Sequence, residues 1–466
     1  MRKSITEFWK LFAAVFIMGA VFTSCEKEEN PIQNEEQVST ELKEPPFKNY
    51  LVINNLNSGS TKAAESYLKS VKGVKIINST PEIGITVISA KDLKLLKKAE
   101  SEDLTIVPDY EIKWIPTPEV KEQSIGDGEY FYDIDYLWGM DAISAPEAWE
   151  LGFTGKGASV YVLDSGIDPD HSDLAPNVNS ELSISFIPGE SWIVGENVGF
   201  NHGTHVAGTI AAADTDYGII GVAPGAELVA VKVLSEVTGS GPFSAINNGL
   251  VYAGLNGADV VNMSLGATLQ KNGTLTDADG NEFHIPAVNI QAVIQAQQRA
   301  VDFAVSRGTT VIASAGNDYL NFDGLQSYVK LPGSLNNVIT VSATATQAYY
   351  PGVPYTGSYD IPSSYTNYGR SLIDVAAPGG DFDAPTYGAD GILSAGNNNS
   401  FYWSSGTSMA APHVSGVAAL VIAKNGKMNP MDLQKHLENT SDKVDGNGQS
   451  LYLGKGRINA LRAVTE

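Results

Sequence analysis

Cysteine is nearly absent from this chain: 466 residues contain one, Cys25. A single thiol excludes an internal disulfide and any multi-cysteine zinc or iron-sulfur site. Basic residues are also scarce, with 30 Lys and Arg against 53 Asp and Glu and a net charge of −23. That balance leaves no broad phosphate-gripping surface, so nucleic acid is not an expected partner. Long apolar runs are missing beyond residues 11–22, and that run is too short to span a bilayer comfortably. Hydrophobic content of 43% with a mean hydropathy of −0.08 excludes a polytopic membrane fold and a disordered chain alike. Glycine is plentiful instead, 46 residues, which announces many tight turns. At about 150 residues per domain, the length suggests three domains, or one large and one small.

The first 24 residues read as an export signal: Arg2 and Lys3, the short apolar run, then small Thr23 and Ser24. Cys25 follows at once, an arrangement that resembles a bacterial lipoprotein attachment site and implies a membrane anchor through lipid. Phe22 and Thr23 depart from the usual residues there. The alternative is a signal cut nearby that leaves Cys25 as a free thiol. Glu26, Lys27, Glu28 and Glu29 look like the surface-export signals of some Gram-negative lipoproteins and equally like a solvated linker. Residues 25–48 are polar and proline-bearing, as in a tether.

Between residues 50 and 108 the pattern predicts a strand (50–54), a helix (61–71), two strands (74–77, 84–89), a helix (91–99) and a strand (104–107). That β-α-β-β-α-β order is a small α+β split βαβ unit, assigned to residues 49–115. Residues 116–132 lack periodicity and carry Pro, Gly and acidic side chains, as in a linker. In residues 133–466, apolar strands (158–163, 227–233, 259–263, 309–313, 338–342, 372–376) alternate with helices (202–213, 243–256, 289–307, 408–424, 430–439). The alternation predicts an α/β fold, a doubly wound and mostly parallel sheet with helices on both faces. Ligands of such sheets sit outside the carboxyl ends of the strands.

Three segments flank a reactive side chain with glycine or small residues. Asp164 ends an apolar strand before Ser165 and Gly166; His202 opens a small-residue helix in Asn201-His202-Gly203-Thr204-His205; Ser408 starts an alanine-rich helix after Gly406 and Thr407. An acid, an imidazole and a hydroxyl are what nucleophilic acyl transfer needs. His202 and His205, three apart, raise a metal, but the His-Glu-x-x-His pattern of a metalloprotease helix is absent. Each segment alone has a plain structural explanation; their joint occurrence in the order Asp, His, Ser does not.

Over about 320 residues, 138–464, the chain resembles the subtilisin-like serine protease (subtilase) family. The resemblance implies a secreted serine endopeptidase acting on protein or peptide substrates, with Asp164 as orienting acid, His202 as general base and Ser408 as nucleophile. It implies Asn317, in Ala313-Ser314-Ala315-Gly316-Asn317-Asp318, as oxyanion donor together with the Ser408 backbone N–H. Gly239, Ser240 and Gly241, and Ser264, Leu265 and Gly266, match the paired edges that hold an extended peptide, with Gly316 beside them. Main-chain recognition of that kind favours broad specificity. Lys330 stands where glycine is common, and with Asp318 it either biases the first pocket or pairs with it. The competing readings are a dedicated envelope processing protease and an inactive peptide-binding surface protein.

The resemblance also implies a structural calcium ion, with Asp173 as a candidate ligand, although Thr215 replaces an expected asparagine; catalysis needs no cofactor. Residues 277–281 resemble part of another calcium loop and equally a solvated hairpin turn. The front unit resembles the family's inhibitory propeptide, an intramolecular partner cut off between residues 115 and 132. A monomer at the cell envelope or outside the cell is expected, tethered or released according to that cut. His171, His284, His413 and His436 read as packing residues, and Tyr349, Tyr350, Tyr355 and Tyr359 as a packed surface loop.

Overall fold

The strand β1 (Asn49–Asn54) is apolar along most of its length because both of its faces are covered. Tyr50 and Val52 pack with Leu68, Ile88 and Ile106, whereas Leu51 and Ile53 turn the other way, into a core shared with the large domain. Around it lie α1 (Thr61–Ser70), β2 (Val74–Thr80), β3 (Ile85–Ala90) and β4 (Leu104–Pro108), in an antiparallel sheet of order β2-β3-β1-β4. The computed structural model describes residues 49–54, 61–90, 104–124, 130–276, 282–382, 390–446 and 448–466. The expected export signal, Cys25, the tether, the helix at 91–99 and the loop at 277–281 lie outside them. All described residues belong to one compact unit, Phe47–Glu466.

Two short strands follow, β5 (Glu111–Lys113) and β6 (Val120–Gln123). The second falls inside residues expected to be an unstructured linker, and its partner explains why: 120–123 pair antiparallel with 401–404, far along the chain.

The large domain is built on β7 (Ser159–Asp164), β8 (Ile184–Ser185), β9 (Glu227–Lys232), β11 (Val260–Met263), β15 (Thr310–Ser314), β17 (Val338–Ala345), β18 (Ile361–Pro362) and β19 (Val375–Pro378). Their order is β18-β17-β15-β11-β7-β9-β8, with β19 also on β17, and every pair is parallel except β17 with β18. Period two again sends neighbours to opposite cores. Val160 and Val162 of β7 face α2 (His202–Ala211) and α5 (Thr407–Asn425); Tyr161 and Leu163 face α3 (Phe243–Leu255) and α4 (Ala287–Ser306). Helices therefore cover both faces of a mostly parallel α/β sheet. The strand expected at 372–376 begins instead at Val375, because Leu372 and Ile373 fill a satellite cluster with Ala315 and Phe322. The helix α6 (Pro430–Thr440) lies where the periodicity placed it.

Smaller antiparallel pairs complete the fold: β10 (Ser240–Pro242) on β5, β12 (Ala267–Gln270) on β16 (Tyr328–Leu331), β13 (Thr274–Thr276) on β14 (Glu282–His284), and β20 (Ile392–Ala395) on β21 (Phe401–Ser404), which carries β6. The front sheet stands on the layer of α3 and α4, where Thr80 Oγ1 donates to Asn248 (2.6 Å) and Arg299 donates to the Asn54 carbonyl (2.7 Å).

Candidate active site

Asp164 is the last residue of β7 and is fully buried. Its Oδ1 accepts from the Ser165 N–H at 2.7 Å, and His202 Nδ1 lies 2.9 Å from Oδ1 and 3.0 Å from Oδ2. A carboxylate only accepts, so Nδ1 carries the imidazole proton and Nε2 remains a base. Close approach of α2 to the strand end requires Gly203, where a Cβ would lie 2.2 Å from the Gly166 carbonyl. The helix start is locked by Asn201, whose Oδ1 caps Thr204 N–H at 2.8 Å, a contact worth about 1 kcal/mol. The Asn201 amide donates to Ser165 Oγ (3.1 Å), which also accepts from Gly203 N–H (3.1 Å). Ser165 and Asn201 thus hold two distant segments in register.

Ser408 lies in the first turn of α5, a helix buried all round from Thr407 to Ile422 and therefore driven through the middle of the domain. Pro412 has no N–H to give the Ser408 carbonyl four residues earlier. The hydroxyl of Ser264 fills that gap at 2.7 Å, while Ser408 Oγ donates back to the Ser264 carbonyl at 3.1 Å. One proline thereby ties the nucleophile candidate to the cleft edge at 264–266. His202, Ser408 and Asn317 line one cavity of about 210 Å³.

Asn317 follows β15 with its amide orientation set by Thr407: Oδ1 accepts from Thr407 N–H (3.0 Å) and Oγ1 (2.7 Å). Thr407 Oγ1 in turn accepts from Gly316 N–H at 2.9 Å. With its oxygen occupied, Asn317 presents its NH₂ group to the cavity. Thr407, Ser165 and Asn201 were not singled out from the sequence, although all three adjoin residues that were.

Residues 239–241 and 264–266 are bridged by the chain's own residues. Lys113 and Ile112 pair with Ser240 and Gly241, the Gly239 carbonyl accepts from Trp114 N–H (3.0 Å), and Gly266 N–H donates to the Trp114 carbonyl (3.0 Å). The Trp114 ring meets Phe243 edge-on at 4.8 Å and donates Nε1–H to the Gly241 carbonyl at 2.9 Å. Pro116, Thr117, Pro118 and Glu119 then border the cavity of His202 and Ser408 before β6 joins β21. Beside it, Gly266, Gly316, Asn317, Lys330 and Ser408 line a larger pocket of about 360 Å³. Lys330 is buried, which pushes its ammonium below the ordinary lysine range against the opposing pull of Asp318.

Four of the histidines off the site are packing residues; His284, expected to pack, is instead exposed. His205 turns away from His202 to donate to the Tyr402 carbonyl (2.9 Å), and burial pushes it down to about 3. His413 donates Nδ1–H to the Met409 carbonyl, and burial pushes it down to about 4. His171 stacks edge-on against Phe401, His436 contacts the Ala463 carbonyl, and His284 is exposed on β14. Tyr349, Tyr355 and Tyr359 pack around Trp138, whereas Tyr350 is exposed.

Asp173 is surrounded by donors. Its Oδ2 accepts from Ile219 N–H (2.9 Å), and its Oδ1 from the hydroxyls of Ser172 (3.1 Å) and Thr215 (3.4 Å). Calcium needs oxygen acceptors converging on it. Thr215 Oγ1 also donates to the Tyr217 carbonyl (3.2 Å), so carboxylate, hydroxyl and carbonyl oxygens meet beside Asp173, although among the described residues no group of three His, Cys, Asp or Glu is placed to hold a metal.

A parallel sheet with an Asp-His pair and a helix-borne serine at its strand ends defines a serine peptidase of the subtilisin-like fold. Residues 155–456 match the subtilase family, Peptidase S8. The chain is 32% identical over 423 residues to M-protease of Shouchella clausii (88% of this chain, 94% of the relative). It is 36% identical over 353 residues to subtilisin E of Bacillus subtilis (76% and 77%). Among solved structures, the epidermin leader peptide processing serine protease of Staphylococcus aureus aligns with a TM-score of 0.70 at 22% identity, covering 90% of this chain and 98% of that one. Fervidolysin from Fervidobacterium pennivorans, a keratinolytic enzyme, aligns at 0.66 and 24% identity, covering 91% and 62%. The chain belongs to the subtilase family.

Proposed function

We propose that this subtilase is an exported endopeptidase that cleaves peptide bonds through an acyl-enzyme on Ser408. The observation that carries the reading is the Asp164–His202 pair bordering one cavity with Ser408 and Asn317. Ser408 Oγ turns from Ser264 to the substrate carbonyl as His202 Nε2 takes its proton; Asp164 holds the imidazolium. The negative oxygen that forms is met by Asn317 Nδ2 and the Ser408 N–H, and His202 returns its proton to the leaving amine. Water then repeats the sequence on the ester. Asn317→Ala is expected to lower kcat by about 10²- to 10³-fold with KM little changed, in steady-state assays on a chromogenic peptide. Substrate is held as a strand between 239–241 and 264–266 by its backbone, which supports broad specificity along that strand, away from the pocket beside Ser408. Cutting of a diverse peptide library, read by mass spectrometry, tests this; a single cleaved motif would favour a dedicated processing role.

Residues 49–115 act as the intramolecular inhibitor, a role supported by the strand pairing of β5 and the passage of 116–119 before Ser408. Cys25 carries the lipid, and a cut between 115 and 132 separates anchor from enzyme. The N-terminal sequence of the purified mature protein decides both points.

Docking of this unit is expected to depend on pH through Asp109, buried where β4 meets the start of α3 and bonded to Ser244 N–H (3.1 Å) and Oγ (2.5 Å). Burial raises its carboxyl from 3.8 to about 6. The docked state therefore prefers the protonated form: docking is strongest below the ordinary carboxylate value and weakens as pH rises through about 6. Hydrogen-exchange protection of β1 and β4 in a full-length Ser408→Ala chain is expected to be higher at pH 5 than at pH 7.5, and Asp109→Asn to flatten the difference. Equal protection in the parent at both pH values would refute the linkage.

A further inference from the structure

Two lysines of the large domain are almost wholly buried and are received differently by their surroundings. Lys232, at the end of β9, donates to the Ser165 carbonyl (2.6 Å) and lies 3.1 Å from both Glu190 and Glu236. Lys330, 4% exposed on β16, has no ion pair and no hydrogen-bond acceptor on its Nζ among the described residues. Its ammonium lies against backbone that carries no side chains: a Cβ built on Gly316 would come within 2.4 Å of Nζ, and one on Gly266 within 3.2 Å. Gly266, Gly316 and Lys330 are walls of the larger pocket beside Ser408. The carboxylate on the same pocket, Asp318, is engaged elsewhere, accepting from Thr268 Oγ1 (3.1 Å) and Asn367 Nδ2 (3.3 Å). The chain's own segment brings no anion either, since it contributes Ile112, Lys113, Trp114 and Pro116 to this pocket.

A buried cation that feels Asp318 only from beyond ion-pair distance is costly, so a ligand that brings a carboxylate into direct contact gains more there than at the surface. We propose that Lys330 makes this pocket selective for an acidic side chain, so that the peptidase cleaves after glutamate or aspartate. The inference rests on the acyl-enzyme reading above and names its substrate class; the rest of the substrate strand is still read through its backbone. Residues 116–132 hold Glu119, Glu122, Asp127 and Glu129 against a single base, Lys121. The mature chain is accordingly expected to begin directly after one of these four acids.

The test uses the mature enzyme and peptides that differ only in the residue before the scissile bond: Glu, its uncharged isostere Gln, Asp, Leu and Lys. Wild type is expected to favour Glu over Gln by about 10- to 100-fold in kcat/KM. Lys330→Gln is expected to bring that ratio near one, and Lys330→Arg to keep it well above one. A fluorophosphonate probe that labels Ser408 establishes in each variant that the acylation machinery is assembled. Labelled wild type that cleaves Gln as well as Glu, or a Glu preference that survives in Lys330→Gln, would overturn the pocket assignment alone. No labelling and no cleavage of any peptide by wild type would overturn the acyl-enzyme reading, and the pocket assignment with it.

Discussion

Ser408→Ala is expected to lower kcat by about 10⁶-fold and to leave the chain at full length, because the same hydroxyl would make the maturation cut. The variant keeps the fold. Ser408 Oγ contributes one hydrogen bond, to the Ser264 carbonyl, and the reciprocal bond from Ser264 Oγ to the Ser408 carbonyl does not involve the deleted atom. A casein or chromogenic-peptide assay measures the loss, and gel mobility of the purified chain reports self-cleavage. Turnover within tenfold of wild type would refute the assignment of Ser408 as nucleophile.

Asp164→Asn is expected to cost about 10⁴-fold in kcat, with substrate binding little altered. The substitution keeps an oxygen for Ser165 N–H, so the turn after β7 is retained, but its NH₂ now faces His202 Nδ1. That donor favours the imidazole tautomer with the proton on Nε2, the atom that must accept from Ser408. Among the described residues Asp164 is the only hydrogen-bond partner of His202 Nδ1, so no other group restores the correct tautomer. Steady-state kinetics with an alkaline pH profile measure the effect; a loss confined to KM would mean that Asp164 shapes the cleft rather than the base.

The chemistry was legible because each reactive residue sits at a boundary with a local signature. Asp164 closes a run of apolar residues, His202 follows a capping Asn and Ser408 opens a small-residue helix, and such signatures depend on neighbours within a few positions. The front sheet was legible in its element order, though its two-sided burial was not: in β1 every side chain from Tyr50 to Ile53 is apolar, and alternation between two cores leaves no periodic mark. The strand β6 was missed for a related reason. Val120, Lys121, Glu122 and Gln123 have no strand-like composition, and their order comes from main-chain bonds to 401–404.

By itself the sequence determined the parallel α/β architecture, since helix caps, strand ends and apolar period are short-range properties; the reaction class and the acid, base, nucleophile and oxyanion candidates came from its resemblance to the subtilase family. Only the tertiary structure decided which groups remain unpaired once the chain has folded. Lys232 and Lys330 are both lysines on strands, yet one meets two carboxylates and the other an open pocket. Likewise Thr407 became the keeper of Asn317, and Trp114 the occupant of the cleft, through contacts spanning about 90 and 127 positions. Charge pairing and hydrogen bonding act through distances in space, and folding alone sets those distances.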